Sequence, residues 1–565
     1  MSQLFKPTRC ALAVALLSLP ALASANQSLV APGFSLTTGG VTSQRSVHTS
    51  ANNPASTNLI VRDGERFRFG YFANLGGYIE IGEVDDLDLK LDDLVDDLDA
   101  LDTLDSWSSA NLGDRQSAAS HLSRYGAGCN VDPSSGSIDG NTLAACYQAI
   151  ADNINGELLE ALEQGGQIRA GFHASAPLMP FVFSSQRDWS LGFNVSASGQ
   201  MRGAFIGDRF GVRTNVRGGS NQNLGSVQID AGQIGDAYVG INAILDNDGL
   251  TEQQQLEQIR DYLQNNNIVA VEDLADINQV IADLDSGALN PNDIELEAEL
   301  TTDSSFDVRA AGVAQLSISY AHNLTSAFEL NPTYGTLEAG ARLNYYHAEM
   351  FRNLVSFRGI ANDDDDSDDD ALDTALDDFR DQSTTSGALG LDVGLLWHAD
   401  NYQLGLTLYN LNEPEFDYPD LGSFLDSRED DFEAAQNLQR NGRLSLAESV
   451  TLTRHAVVEG AYFSQSRNWV VQGYYTLGTA TNFVGDEFQN MGVSAGYFTN
   501  SWWLPGVRAG YNKNLTGTEL STVHFGTTLF GIFNLDAAMS TQTSSFDGND
   551  IPRYLAFSIG FEEKF

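Results

Sequence analysis

The feature of the sequence that most limits its fold is a series of segments in which apolar side chains alternate with small or polar ones. In the last of these segments the apolar side chains share one parity: Leu555, Phe557, Ile559, Phe561 and Phe565. A period of two is the pattern of a β-strand with one apolar face. Each segment has about ten residues, which is the length that a tilted strand needs to cross a bilayer. The pattern predicts an all-β protein.

The candidate strands follow one another toward the C-terminus. They lie near 225–243, 306–321, 334–348, 388–398, 402–411, 448–463, 468–478, 489–498, 505–513, 519–530, 531–541 and 553–565. Two further regions, 66–82 and 168–203, bring the predicted number to about fourteen, within about two, and an even number is expected of an outer-membrane barrel.

Two architectures fit such strands, a soluble sandwich and a transmembrane antiparallel β-barrel. The long inserts near 244–305, 359–387 and 412–447 would all lie at one end of a barrel, with short turns at the other. Large aromatic side chains cluster at strand ends, where they would form girdles at the bilayer interface: Trp189, Tyr345, Tyr346, Trp397, Tyr402, Trp469, Trp502 and Trp503. Both regularities are typical of outer-membrane barrels. The side of a further insert, 83–167, stays open.

The N-terminus has the pattern of a secretory signal. Residues 1–25 combine Lys6 and Arg9 with an apolar run and a small-residue cleavage site, Ala23-Ser24-Ala25. Beyond them no run of 18 or more apolar residues occurs, so no transmembrane helix is predicted. We expect export to the Gram-negative outer membrane, with the barrel formed by residues 66–565 and lipid as its surroundings.

Charge and cysteine usage add two expectations. The chain has 76 acidic against 30 basic residues, a formal net charge of -46, which would repel nucleic-acid phosphates. Direct nucleic-acid binding is therefore not expected. Without the signal, two cysteines remain, Cys129 and Cys146, and in an oxidising compartment we expect them to form a disulfide.

Residues 26–65 lack the strand pattern and contain Gly39-Gly40 and, further on, Asn53-Pro54-Ala55. With these motifs the chain resembles the FadL-type family of outer-membrane barrels, which have fourteen strands and an N-terminal hatch inside the barrel. An acidic leucine-rich segment at 85–107 is similar to that of the barrel proteins named conjugal transfer protein TraF. The resemblance implies that residues 26–65 form a plug. The alternating end, with Phe557, Ile559, Phe561 and terminal Phe565, resembles the signal that the outer-membrane assembly machinery recognises.

The inserts are predicted to be helical. Leucines at spacings of three and four within 85–107 predict a helix that packs on the barrel rim or on a second helix, whose apolar stripe lies within 142–162. This packing is favoured over binding of a partner protein. The insert near 251–285 opens with Thr251 and Gln254 in a capping-box arrangement.

No motif for catalysis or metal binding is convincing. The acidic run at 362–370 lacks the glycine turn and the bidentate glutamate of a calcium loop, and residues 246–249 match only half of one. Gly492 to Gly496 fits the G-x-S-x-G pattern of serine hydrolases but lies in an alternating strand. We expect no enzyme activity, no metal and no cofactor.

Two functions remain open. The resemblance to FadL-type proteins implies passive uptake or binding of small hydrophobic molecules through a plugged lumen. The alternative is a structural or surface-interaction barrel associated with conjugal transfer, in which the inserts do the work. The sequence identifies neither a ligand nor an oligomeric state.

Overall fold

A computed structural model describes residues 35–61, 64–70, 74–83, 110–126, 129–138, 140–185, 188–218, 223–229, 234–245, 249–269, 274–290, 294–356, 383–425, 428–499, 502–546 and 549–561, and the isolated residues 100, 103–104, 107 and 247. Five expectations lie largely or wholly outside these residues: the signal at 1–25, the acidic segment 85–107, the helical insert near 359–387, the acidic run 362–370 within that insert, and the terminal Phe565.

Fourteen strands form one closed antiparallel barrel. They are β1 Leu75–Ile81, β2 Gln167–Ser175, β3 Trp189–Ile206, β4 Ser305–Asn323, β5 Thr336–Ser356, β6 Thr384–His398, β7 Tyr402–Tyr409, β8 His455–Phe463, β9 Trp469–Leu477, β10 Asn490–Tyr497, β11 Gly506–Asn514, β12 Ser521–Leu529, β13 Phe533–Ser540 and β14 Tyr554–Phe561. Each strand pairs with its neighbours in the chain, and β14 pairs with β1, so the meander closes without a free edge. The predicted fourteen-stranded antiparallel barrel is confirmed.

The wall has an apolar outer face and a polar inner face. In β14 the Phe557 side chain is 60% exposed, whereas its neighbour Ser558 is 1% exposed. The same alternation continues around the barrel. Exposed outer side chains include Leu75, Phe193, Ile318, Leu343, Leu391, Leu404, Val458, Val471, Val493, Val507, Phe525, Met539 and Leu555. Buried inner side chains include Gln315, Ser317, Arg342, Asn344, Asp392, Gln403, Glu459, Gln472, Arg508, His524 and Asp536.

The strand count was right although two of the predicted strands were wrong. Residues 225–243 contribute no barrel strand: Asn223–Ile229 belongs to a separate small sheet, and a helix begins at Ile234. The region 168–203 instead holds parts of two barrel strands, β2 and β3. Of the residues proposed for the aromatic girdle, Tyr346 is also wrong, because its ring points inward and is 2% exposed.

The two ends of the barrel differ strongly. Short turns such as 399–401, 464–468 and 530–532 lie at the end where β14 finishes. The described residues of the insert between β1 and β2 lie at the opposite end, with those of the inserts that follow β3 and β7. The side of this insert, which the sequence left open, is therefore that of the inserts after β3 and β7.

Two of these inserts share one apolar core, and we call their described residues 110–166 and 207–304 the cap. Its helices are α1 Leu112–Leu122, α2 Gly140–Asn153, α3 Ile234–Leu245, α4 Glu252–Asn265 and α5 Ala275–Ser286; α2 continues through a π-helical turn, Ile154–Leu159, into Glu160–Gly165. Strand Gly211–Gly218 pairs with Asn223–Ile229 and with Ile294–Thr301. The core joins side chains from both inserts, among them Leu122, Ile150, Ile241, Ile259 and Ile277.

The cap also contains two local features that the sequence predicted. Thr251 and Gln254 form the expected capping box at the start of α4. The structure joins Cys129 and Cys146 by a disulfide, with Cα atoms 4.6 Å apart. No helix within the described ranges is both long and apolar enough to cross a membrane.

The remaining elements are short. Phe67–Phe69 pairs with Phe181–Ser184, which pairs in turn with the start of β3. Ser123–Tyr125 and Pro332–Tyr334 are 3-10 turns. The insert 410–454 contains Glu415–Asp417 paired with Ser449–Thr451, the helix Leu421–Phe424, and a longer helix, α6 Glu429–Arg440. Ala480–Thr481 pairs with Glu487–Phe488, and Thr543–Phe546 pairs with Asn549–Pro552.

We call residues 35–61 the N-terminal segment. It consists of four short helical turns, Ser35–Thr38, Val47–Ala51, Pro54–Ser56 and Thr57–Ile60. Its residues contact the polar face of the strands, so the segment lies on the inner side of the wall.

Candidate functional site

Asn53 fixes the turn at the centre of the N-terminal segment. Its side chain accepts a hydrogen bond of 3.0 Å from the Ala55 amide, and Pro54 occupies the first helical position, where a missing N–H costs nothing. The Asn53 amide then donates to the Leu395 carbonyl at 3.1 Å and to Glu459 at 3.3 Å. One side chain therefore caps the turn and binds it to the wall.

The wall makes room for this turn with two glycines. A β-carbon at Gly340 in β5 would lie 2.5 Å from the Pro54 carbonyl carbon, and one at Gly394 in β6 would lie 2.1 Å from Asn53 Oδ1. Such distances are shorter than ordinary van der Waals contact, so no larger residue fits without displacing the turn. The register places these glycines opposite each other in the β5–β6 pair.

Carboxylates of the inner wall hold the segment at separate places. Glu459 accepts from the Thr42 amide and from the Thr42 hydroxyl, the latter at 3.0 Å. Asp536 accepts from the Thr37 hydroxyl. Asp392 pairs at 2.8 Å with Arg342, whose guanidinium also donates to the Ala51 carbonyl.

Further hydrogen bonds distribute these attachments around the barrel. Thr57 and Ser190 share one of 2.8 Å with β3, the Asn58 amide donates to Glu338 of β5 at 2.8 Å, and His524 Nδ1 of β12 donates to the Leu36 carbonyl at 2.8 Å. These hydrogen bonds and the preceding contacts together bind the segment to strands on several sides of the barrel.

His48 is the buried titratable group of the segment. It lies beside Gly70, where a β-carbon would be 3.1 Å from His48 Nε2, and this nitrogen has no hydrogen-bond partner among the described residues. Burial, the largest cause, acts together with the nearby His173 and Arg68 to lower the pKa of His48 to about 3. The imidazole is therefore neutral at physiological pH.

A cavity of about 150 Å³ lies between the start of the segment and the wall. Residues 35–40 form one side of it, and Gly39 takes a left-handed backbone conformation there, with φ of 65°. The other side combines aromatic and hydrogen-bonding groups, among them Tyr409, His455, Tyr474, Thr476, Phe488, Asn490, Ser494, Tyr511, Asn512 and His524. We call this space the chamber.

The chamber has a size and composition suited to one small ligand. An apolar cavity of about 150 Å³ is large enough for benzene. Rings and an apolar side chain such as Val457 offer contact area, and the amide and hydroxyl groups could orient a polar substituent. Among the described residues no group of three or more His, Cys, Asp or Glu side chains is placed to hold a metal.

Besides Cys129 and Cys146 in the cap, the structure places the predicted site residues in two regions of the barrel. The five hatch residues all lie on the inner side of the wall: Gly39 and Gly40 at the chamber, and Asn53, Pro54 and Ala55 against β5 and β6. Phe557, Ile559 and Phe561 lie on the exposed outer face of β14. Gly492 and Gly496 lie within the continuous strand β10, without the strand–turn–helix that a nucleophilic serine requires.

Sequence reasoning missed the wall side of this arrangement: Gly340, Gly394, Asp392, Glu459 and Asp536. A signal was present in the sequence, because a charged side chain that faces the inside of a barrel needs a hydrogen-bonding or charged partner there. The sequence did not reveal which part of the chain supplies that partner.

Comparisons with known proteins bear on the family. The chain matches the family described as "F plasmid transfer operon, TraF, protein" over residues 50–475. The chain belongs to this family. The TraF-family match includes Asn53-Pro54-Ala55 and strands β1 to β8, so the resemblance noted from the sequence is confirmed. No protein with a curated description matches the chain.

Two solved structures resemble this TraF-family chain. One is a TodX deltaS2S3 mutant, a monoaromatic hydrocarbon channel, with 10% identity, a TM-score of 0.33, and coverage of 91% of this chain and 93% of that chain. The other is the toluene transporter TbuX of Ralstonia pickettii, with 9% identity, a TM-score of 0.33, and coverage of 95% and 98%.

Proposed function

We propose that the protein is an outer-membrane barrel through which small hydrophobic molecules pass, with the N-terminal segment as the plug that controls their passage. The observation that carries this proposal is the chamber between the segment and the wall. The apolar outer face supports a location in lipid, which strands of this length can span. The exposed apolar residues of β14 suit recognition by the outer-membrane assembly machinery.

The chamber supports a ligand about as large as a single substituted aromatic ring. Its volume of about 150 Å³ is too small for a long acyl chain in full. Aromatic lining favours stacking or edge contact with a ring. We therefore take toluene as the first probe, since it combines this size with an apolar character.

Gly340→Ala tests the plug in the full chain. The added methyl group would meet the Pro54–Ala55 backbone and push the plug off the wall, so we expect faster uptake of radiolabelled toluene in cells that lack other major barrels. Gly312→Ala in β4 is the matched control, because a β-carbon there meets nothing within 4 Å. Equal uptake by the two variants would contradict a gating plug.

Ser494→Leu tests the chamber itself. Ser494 lines the chamber, whereas Val471 in the neighbouring strand β9 does not line it and is 53% exposed on the outer face. Filling the chamber should slow toluene uptake, and Val471→Leu should leave it unchanged. If both variants take up toluene at the rate of the unmodified barrel, the chamber is not on the path.

A second candidate function has its own support. The family description names a plasmid transfer operon, and the cap is a separate apolar core at the end that would face outward. In this alternative the barrel anchors a surface that contacts another cell. Shortening the cap inserts separates the two functions: toluene uptake should survive under our proposal, whereas a loss of mating with normal uptake would favour the alternative.

A further inference from the structure

A hairpin between β9 and β10 folds into the barrel instead of away from it. Two short strands, Ala480–Thr481 and Glu487–Phe488, pair to form its stem, and we call residues 480–488 the inner hairpin. Asn482 holds its tip: the side-chain oxygen accepts from the Val484 and Asp486 amides at 3.1 and 2.8 Å. Gly485 closes the turn with φ of 80°.

The tip of the inner hairpin reaches the far side of the barrel. Its stem leaves the wall between β9 and β10, but Asp486 pairs at 2.8 Å with Arg169 of β2 and at 3.5 Å with Arg202 of β3. In a ring of fourteen strands, β2 and β3 stand almost opposite β9 and β10. The hairpin therefore crosses the lumen.

Apolar packing fixes the same tip. Phe483 and Val484 are both fully buried. The Phe483 ring lies 5.8 Å from that of Tyr346 in β5 and 5.0 Å from that of Phe416 in the insert 410–454. Tyr418 in that insert donates a hydrogen bond of 2.6 Å to the Phe483 carbonyl.

The inner hairpin also borders the chamber. Phe488, at the foot of its stem, lines the chamber together with residues of the N-terminal segment. The N-terminal segment therefore forms one side of the chamber, and the stem of the inner hairpin forms another side. A ligand that came from the end bearing the cap would meet the hairpin before it met the segment.

We propose that the inner hairpin is the outer gate of the chamber, held shut by Phe483 and Asp486, and that it acts in series with the N-terminal plug. This inference rests on the proposed function for the direction of transport. It concerns access to the chamber, which can be measured without any transported ligand.

A cysteine reporter in the full chain measures that access. Ser494→Cys is a small change that places a thiol in the chamber, and Cys129 and Cys146 do not compete because they are disulfide-bonded. A small, charged methanethiosulfonate added to intact cells should label this thiol slowly. Gln264→Cys on the exposed surface of α4 gives the rate for an unhindered site.

Weakening the tip should open the gate. In the Ser494→Cys background, Phe483→Ala and Asp486→Asn should each raise the labelling rate about tenfold or more, because each removes an anchor of the closed state. Leu112→Ala removes a comparable apolar side chain from the exposed start of α1 and should have no effect. Gly340→Ala, which loosens the plug, should also leave labelling from outside unchanged.

Two results would overturn the proposal: labelling of Ser494→Cys as fast as Gln264→Cys with the hairpin intact, or unchanged labelling in both tip variants. Heat-modifiability gels verify the folded barrel, and Asp486→Asn carries the test if Phe483→Ala does not fold. Failure of toluene uptake in every variant would count against the proposed function and leave the labelling result standing.

Discussion

At the scale of single residues, the N-terminal segment depends on pairs that are far apart in the chain. The Asn-Pro-Ala motif could be read from the sequence, because Asn before Pro favours a capped turn. Its complement, Gly340 and Gly394, could not, since glycine in a strand also marks bulges and bends. Only the closed barrel brings these residues within contact distance.

The burial of His48 predicts that docking of the N-terminal segment depends on pH. Its pKa is about 3 in the docked segment and would return to about 6.5 on release, so the released form binds a proton first as the pH falls. Stability of the docked segment is therefore complete above pH 6.5 and declines below it. At pH 5 the loss is about 2 kcal/mol, from about 1.4 kcal/mol per pH unit.

Hydrogen exchange of residues 35–61 at pH 7.5 and pH 5 measures this loss. After correction for the intrinsic pH dependence of exchange, protection of the segment should fall by roughly thirtyfold at pH 5. His48→Gln should remove that extra fall, because glutamine does not titrate. An equal fall in the variant would mean that other groups control the docking of the segment.

At the scale of elements, the alternating pattern predicted strands correctly where the segment pairs with neighbouring barrel strands. It was wrong where the segment packs in the cap instead. Residues 234–245 contain a helix whose buried side chains include Ala237, Tyr238 and Ile241, a helical spacing within a run that also alternates in part. Its apolar face packs in the cap core, so tertiary contacts decided between the two structures. The irregular stretch at 176–180 and the short strand Phe181–Ser184 that follows it likewise divide one predicted region into two barrel strands.

Arg213 joins two inserts and gives this scale its prediction. It donates to both oxygens of Asp303, at 2.9 and 2.7 Å, and pairs at 3.0 Å with Glu433 on α6. Burial raises the pKa of Asp303 to about 6, and the charge of Arg213 opposes this rise. Arg213→Leu leaves a buried carboxylate without its cation, which typically costs about 3 to 5 kcal/mol.

Hydrogen exchange in the strand Gly211–Gly218 should therefore accelerate in Arg213→Leu, while the barrel strands keep their protection. The loss should be smaller at pH 5 than at pH 7.5, because protonated Asp303 is neutral and is buried at less cost. Arg260→Leu is the control, since Asp261 is exposed and Arg260 only partly buried, and surface pairs of this kind contribute about 0 to 1 kcal/mol. Equal effects of the two variants at both pH values would contradict the role given to Arg213.

At the scale of the whole molecule, the period-two pattern of the strands gives the barrel a polar inner face and an apolar outer face. Inner positions carry groups that need hydrogen-bonding partners, which the N-terminal segment and the inner hairpin supply. Outer positions form a continuous apolar surface around the barrel, whereas the largest apolar patch of an ordinary soluble monomer covers only about 300 to 600 Å². This division could be predicted from the period-two alternation, because a shift of one residue in the register of a strand would exchange its inner and outer side chains.

The outer surface determines how the purified protein should behave. In detergent the mature chain should be a folded barrel whose gel mobility changes on heating, and transfer to lipid nanodiscs should preserve that state. Removal of detergent without a lipid substitute should cause association, because water would then contact the apolar side chains of the outer face. Light scattering and near-UV circular dichroism follow the transition. A chain that stays monomeric and folded in plain buffer would show that something other than lipid covers this surface, and the proposals for transport and for membrane anchoring would both fall.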